Sequence, residues 1–248
     1  MGLPTIAVPE YTLTIPSSGK EVKYRPFLVK EEKILLLAME ADKAEDIITA
    51  TKQIIKNCVY ADLNLDEMPT FDIEYIFLQL RAKAKGEILD LKYKCPKCKL
   101  EISLDINIDD IKIVHQKEHT KDIKLNEDLG VIMKYPNMLL QTKIAQTEDD
   151  KPEIEALFDT ITACIDYIYD KETTYPSKDH THEEMITFLE SLTDNQFQKI
   201  SKFFETAPVL KHNVELHCKH KVKGKGKEKK ECGYKEQLKL EGLNSFFA

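Results

Sequence analysis

The chain has 248 residues, 42 % of them apolar and 32 % charged, with 8 Gly and 10 Pro. That composition excludes collagen-like, low-complexity and disordered classes and leaves room for a sizeable core, in one large domain or a body with a satellite. The formal charge of −7 is uneven: Lys219 to Lys235 holds eight lysines against Glu228 and Glu231, a local +6, so the remainder carries −13. An acidic body repels nucleic acid and confines any phosphate contact to that stretch.

The N-terminal region alternates over Tyr11 to Ile15, breaks at Pro16 to Lys20 and resumes over Glu21 to Tyr24, which predicts a β-hairpin. From Val29 to Met39 the residues are strong helix formers, and the run Ile34-Leu35-Leu36-Leu37 predicts a well-buried helix. A second helix places Ala44, Ile47, Ile48, Ile54, Ile55 and Cys58 on one face. A third spans about Asp72 to Lys85, with Thr70 as N-cap, Asp72 and Glu74 in the first turn and Gly86 near its end.

From Leu89 the period changes to two, and strands on either side flank Cys95-Pro96-Lys97-Cys98. Ile111 to Val114 and Val131 to Tyr135 are the next strand candidates, and Pro152 to Tyr169 reads as one helix bearing Ile154, Leu157, Phe158, Ile161, Cys164, Ile165 and Ile168. Thr181-His182-Glu183-Glu184 and Thr193-Asp194-Asn195-Gln196 are capping-box patterns that open two short helices. Val214 to Cys218 and Glu236 to Leu240 read as strands around a Lys/Gly-rich excursion and Cys232-Gly233-Tyr234. The expected fold class is α+β: a mainly helical body with an N-terminal β-hairpin and a zinc-ribbon-like β subdomain. The regions run 1–28 (hairpin), 29–88 (helical), 89–135 (strand-rich, first knuckle), 136–212 (helical) and 213–248 (second knuckle and tail), in one composite domain.

No run approaches the roughly 20 apolar residues of a membrane span, and Met1 to Glu10 has no basic segment followed by an apolar stretch, so neither a spanning nor a secreted protein is expected. Six cysteines then argue for metal or core use rather than a disulfide framework. Cys95-x-x-Cys98 and, about 120 residues later, Cys218 with Cys232 both sit at strand-to-strand turns. Two facing knuckles place four thiolates around zinc, so a structural Zn²⁺ is expected at Cys95, Cys98, Cys218 and Cys232. The second pair is spread to C-x13-C, which reads as a loop, Lys219 to Glu231, inserted into a compact knuckle. His217 or His220 stands as an alternative to Cys218.

A thioredoxin-type centre needs a helix after the first Cys, whereas Leu100 to Ile106 alternates as a strand. Cys58 and Cys164 lie in apolar stripes and read as small buried hydrophobes. His180-x-His182 reads as solvated loop. Glycine-rich phosphate loops, G-x-S-x-G and H-E-x-x-H are absent from the sequence, so no catalytic residues are assigned.

Three blocks carry a resemblance to a known family: Lys23-Tyr24-Arg25-Pro26-Phe27-Leu28-Val29-Lys30-Glu31-Glu32-Lys33-Ile34-Leu35-Leu36; Phe71-Asp72-Ile73-Glu74-Tyr75 with Leu78, Arg81, Ala82 and Lys83; and Leu240-Glu241-Gly242-Leu243 before Phe246-Phe247. In these the chain resembles the baseplate hub assembly proteins of contractile-tailed, myovirus-type bacteriophages. The resemblance implies a non-enzymatic hub subunit or assembly factor. Its partners would be other hub or tail proteins, and its place the host cytoplasm during assembly or the virion tail baseplate. The second knuckle departs from the compact pattern of the family. The alternative function is a zinc-ribbon nucleic-acid-binding accessory protein using Lys219 to Lys235. Leu243, Phe246 and Phe247 are expected either to dock on the body or to contact a partner.

Overall fold

The computed structural model describes residues 6–41, 43–146, 152–223 and 229–242. Its N-terminal hairpin pairs β1 (Tyr11–Thr14) with β2 (Glu21–Tyr24), Leu13 opposite Val22. Three helices follow: α1 (Val29–Glu40), α2 (Ala44–Cys58) and α3 (Thr70–Lys85). Leu13, Ile15, Val22 and Tyr24 of the hairpin region pack on Ile54, Ile55 and Cys58 of α2 and on Ile73, Ile76, Phe77 and Leu80 of α3, forming a first core. Of the face predicted for α2, Ile54, Ile55 and Cys58 are buried and Ile47 and Ile48 half-buried, whereas Ala44, in the first turn, is exposed.

The first helix departs from its predicted burial. Glu31 and Ala38 are its buried residues, while Val29, Leu36, Leu37 and Met39 are exposed. The run of four apolar residues circles the helix, and only one side meets α2. The N-cap of α3 is Pro69 rather than Thr70. Thr70 lies inside the helix, and its hydroxyl donates to the Pro136 carbonyl at 3.0 Å.

Two polar ties close this core. Arg25 donates to both carboxylate oxygens of Glu31, at 3.0 and 3.3 Å, and to the carbonyls of Pro26 and Asn57. Glu31 reaches back to the Leu28 N–H at 2.9 Å. Asp72, fully buried, accepts from the Ser17 N–H at 3.0 Å and from the Ser17 hydroxyl, pinning the hairpin turn to α3.

After α3 the chain forms the hairpin β3 (Ile88–Lys94) and β4 (Glu101–Asn107), then β5 (Lys112–Val114). The next elements are β6 (Asp122–Lys124), β7 (Gly130–Met133), α4 (Met138–Gln146), α5 (Glu153–Ala163), β8 (Ile165–Tyr169), β9 (Thr174–Pro176), α6 (His182–Glu190) and α7 (Asp194–Thr206), with Met138 of α4 reaching the first core. Their antiparallel sheet, β6-β7-β8-β9, shares a core with the helices through Val131, Ile161, Ile165, Leu189, Ile200 and Phe203. The single helix expected over Pro152 to Tyr169 is instead α5 followed directly by β8. Ile161, Cys164, Ile165 and Ile168 keep helical spacing in the sequence, but the chain switches to a strand after Cys164.

The C-terminal part gives β10 (Val209–His217), β11 (Lys221–Lys223), β12 (Lys229–Glu231) and β13 (Lys235–Glu241). A three-stranded sheet runs β13-β10-β5, and β11 with β12 forms a separate hairpin. Leu210, Leu216 and Leu240 pack with Leu89 and Leu91 of β3, with Ile102, Leu104 and Ile106 of β4, and with Leu78 and Ala82 of α3. The helix α3 therefore serves two cores: Ile73, Ile76, Phe77, Leu80 and Ala84, spaced as one stripe, belong to the first, and Leu78 and Ala82 to the second.

Candidate metal centre

The Cys95 knuckle is a turn between β3 and β4. The Cys95 N–H donates to the Leu100 carbonyl at 2.9 Å, and the Lys99 N–H returns to the Cys95 carbonyl at 2.8 Å. Lys99 takes a positive φ of 63° to do so. The second knuckle repeats the scheme. The Cys218 N–H donates to the Tyr234 carbonyl at 2.8 Å, and the Gly233 N–H to the Cys218 carbonyl at 3.1 Å, with Gly233 at φ 62°.

Cys95, Cys98, Lys99 and Leu100 thus correspond in backbone role to Cys218, Cys232, Gly233 and Tyr234. The Lys219 to Glu231 stretch stands where Pro96-Lys97 stands in the first knuckle. The insertion leaves the knuckle intact because the Cys232 N–H donates to the His220 carbonyl at 2.8 Å, closing the base of the β11–β12 hairpin.

The four sulfurs all lie within 4.8 Å of one another. Cys95 Sγ is 3.7 Å from Cys232 Sγ, and Cys98 Sγ is 3.6 Å from Cys218 Sγ. Four thiolates at zinc's ~2.3 Å bond length in a tetrahedron stand about 3.8 Å apart, and the Cys95–Cys232 and Cys98–Cys218 pairs match that separation. Cys95, Cys218 and Cys232 are buried, with Cys98 half-buried, and they join the core that holds Leu216 and Leu240. Lys97 crosses from the first knuckle and donates to the Cys232 carbonyl at 2.8 Å, a tie that the sequence does not signal.

Cys95, Cys218 and Cys232 influence one another's titration. Burial opposes a thiolate at Cys95, but the backbone N–H groups of Cys98 and Lys97 and the thiols of Cys98 and Cys218 bring it down to about 6. Cys218 is pushed up to about 12 by burial, with Cys98, Cys95 and Cys232 adding to the rise. Cys232 is also raised, burial being the main cause.

Of the two alternative histidines, His217 lies in β10 opposite Lys235 and is not in the cluster. His220 places Nδ1 3.3 Å from Cys218 Sγ, beside the sulfur rather than in its place. Cys58 and Cys164 are buried in the other two cores, and burial pushes their thiols up to about 11 and about 12. His182 pairs with Asp159 at 3.0 Å and His180 approaches Glu184 at 3.5 Å, both at an exposed helix start. Leu243, Phe246 and Phe247 lie outside the described residues.

Fold and site together define an α+β chain whose segments, 120 residues apart in sequence, meet at four thiols that could hold a metal ion. The chain belongs to the family described as T4 bacteriophage base plate protein, whose family model matches residues 8–248. It is thus a phage baseplate protein of structural type. No match was found among curated proteins or among solved structures. Among the described residues no helix is long and apolar enough to cross a membrane.

Proposed function

We propose that the chain is a non-enzymatic subunit or assembly factor of the baseplate hub of a contractile-tailed phage, stapled by one structural zinc ion at Cys95, Cys98, Cys218 and Cys232. The observation that carries the metal is the spacing of four sulfurs contributed by two knuckles of matching backbone geometry. Four thiolates complete a tetrahedron and leave no open position for substrate, so the ion holds structure rather than performing chemistry. Family membership over nearly the whole chain supports the baseplate role, acting by contact with other phage proteins. The exposed Leu36, Leu37 and Met39 of α1 supply apolar surface of the kind such contacts bury.

The test is a phage carrying a stop codon in this gene. Under this reading it yields particles with defective hubs, and complete, infectious particles would contradict it. Detection of the chain in finished wild-type particles assigns it as a subunit, and its absence there as an assembly factor. It is expected to do this work in the host cytoplasm, where baseplates assemble. Salt-sensitive binding of duplex DNA that disappears when residues 219–231 are shortened would favour the nucleic-acid reading instead.

A further inference from the structure

The two knuckles bring together charges that are far apart in sequence. Lys94, Lys97 and Lys99 lie on the first, and Lys219, Lys221 and Lys230 on the second, all exposed. The described acidic side chains around these turns are Glu101, opposite Lys94, Glu231, opposite Lys221, and Glu236 beside Tyr234, so the lysines outnumber the carboxylates. The opposite character is found in the body of α5 to α7. Residues 153–206 hold twelve Asp and Glu against four Lys, and Glu153, Glu155, Glu183 and Glu190 are among the exposed ones. Among the described residues no ion pair joins the six knuckle lysines to that body.

We propose that the knuckle end of one copy docks on the acidic α5–α6 face of a second copy of this chain, a head-to-tail contact that closes into a ring or continues as a chain of subunits. Charge complementarity supports the second copy, because each molecule carries both a basic pole and an acidic face. The pole is poorly suited to nucleic acid. It contains no arginine, the side chain that grips phosphates and base edges in pairs. Its tyrosines, Tyr93 and Tyr234, are half-buried against the core rather than offered for base stacking. The contact needs only the fixed geometry of the knuckles and goes beyond the baseplate role proposed above.

Sedimentation velocity of the full chain tests this, at about 0.05 M and about 0.5 M salt, concentrations that change the screening length about threefold. Association at low salt that is lost at high salt is expected. A variant with Lys94→Glu, Lys99→Glu, Lys219→Glu and Lys221→Glu should be monomeric at low salt, as should one with Glu153→Lys, Glu155→Lys, Glu183→Lys and Glu190→Lys. Mixing the two should restore association, which a general loss of folding would not permit. A monomeric wild type at low salt, or association that the reversed charges leave unchanged, would overturn the proposal. So would a monomer whose knuckle lysines bind duplex DNA. Every variant keeps the four cysteines, so metal content is read independently of this result.

Discussion

Glu31 and Asp72 are both fully buried carboxylates, yet their surroundings drive them in opposite directions. Burial alone would raise Glu31, but the Arg25 guanidinium, the Leu28 N–H and Lys30 together hold it below the usual carboxylate range. Its contribution to stability is therefore present above the ordinary Glu value of about 4.3 and is lost as pH falls through the lower folded value. Glu31→Gln strands the Arg25 charge and should cost about 3–5 kcal/mol in a urea unfolding series at neutral pH. Asp72 is raised, chiefly by burial, which its two bonds from Ser17 only partly offset. The folded state then binds a proton more readily than the unfolded one, so stability falls as pH rises from about 4 through the folded value. Asp72→Asn, able to keep partners in Ser17, should gain on the wild type at neutral pH and lose that advantage toward pH 4. A deficit constant with pH would contradict this assignment.

Among the helices and strands, periodicity was enough wherever one face meets one neighbour. Ala50, Ile54, Ile55 and Cys58 of α2 are buried as their spacing indicates, and both capping boxes stand at the starts of α6 and α7. Thr181→Ala should remove about 1 kcal/mol, read from thermal unfolding. Spacing could not show that α1 would have a partner on one side only, because Leu35, Leu36 and Leu37 look alike until α2 is placed. Nor could it end α5, since Ile165 and Ile168 fit a helix as well as β8, and strands as short as β6 and β9 carry too few residues to show a period. Gly130, facing Tyr169 across the sheet, is explained only by packing: a Cβ there would come within 2.3 Å of the ring. The two-sided burial of α3 gives a sharper test. Phe77→Ala removes a ring from the first core, and Leu78→Ala removes a side chain from the core beneath the knuckles. Each should cost about 3–5 kcal/mol, and only Leu78→Ala is expected also to weaken retention of the metal.

For the molecule as a whole, the cysteine spacing made legible in the sequence which four thiols the fold brings together. The sequence did not reveal how the wide second pair works. Backbone bonding is the answer: His220 closes the inserted hairpin at its base, and Gly233 reproduces the turn that Lys99 makes in the first knuckle. An ion there would join β3–β4 to the β10–β13 sheet, so its binding free energy would become folding free energy for segments about 120 residues apart. Chelation should accordingly open residues 209–242 to protease before the α2–α3 core. The most direct test is elemental analysis of the purified chain alongside single Cys→Ser variants. One zinc per chain is predicted, lost in the variants at Cys95, Cys98, Cys218 and Cys232 and retained in those at Cys58 and Cys164. A wild-type chain purified without chelator that holds no metal and keeps the same stability when zinc is added would contradict the zinc-stapled fold.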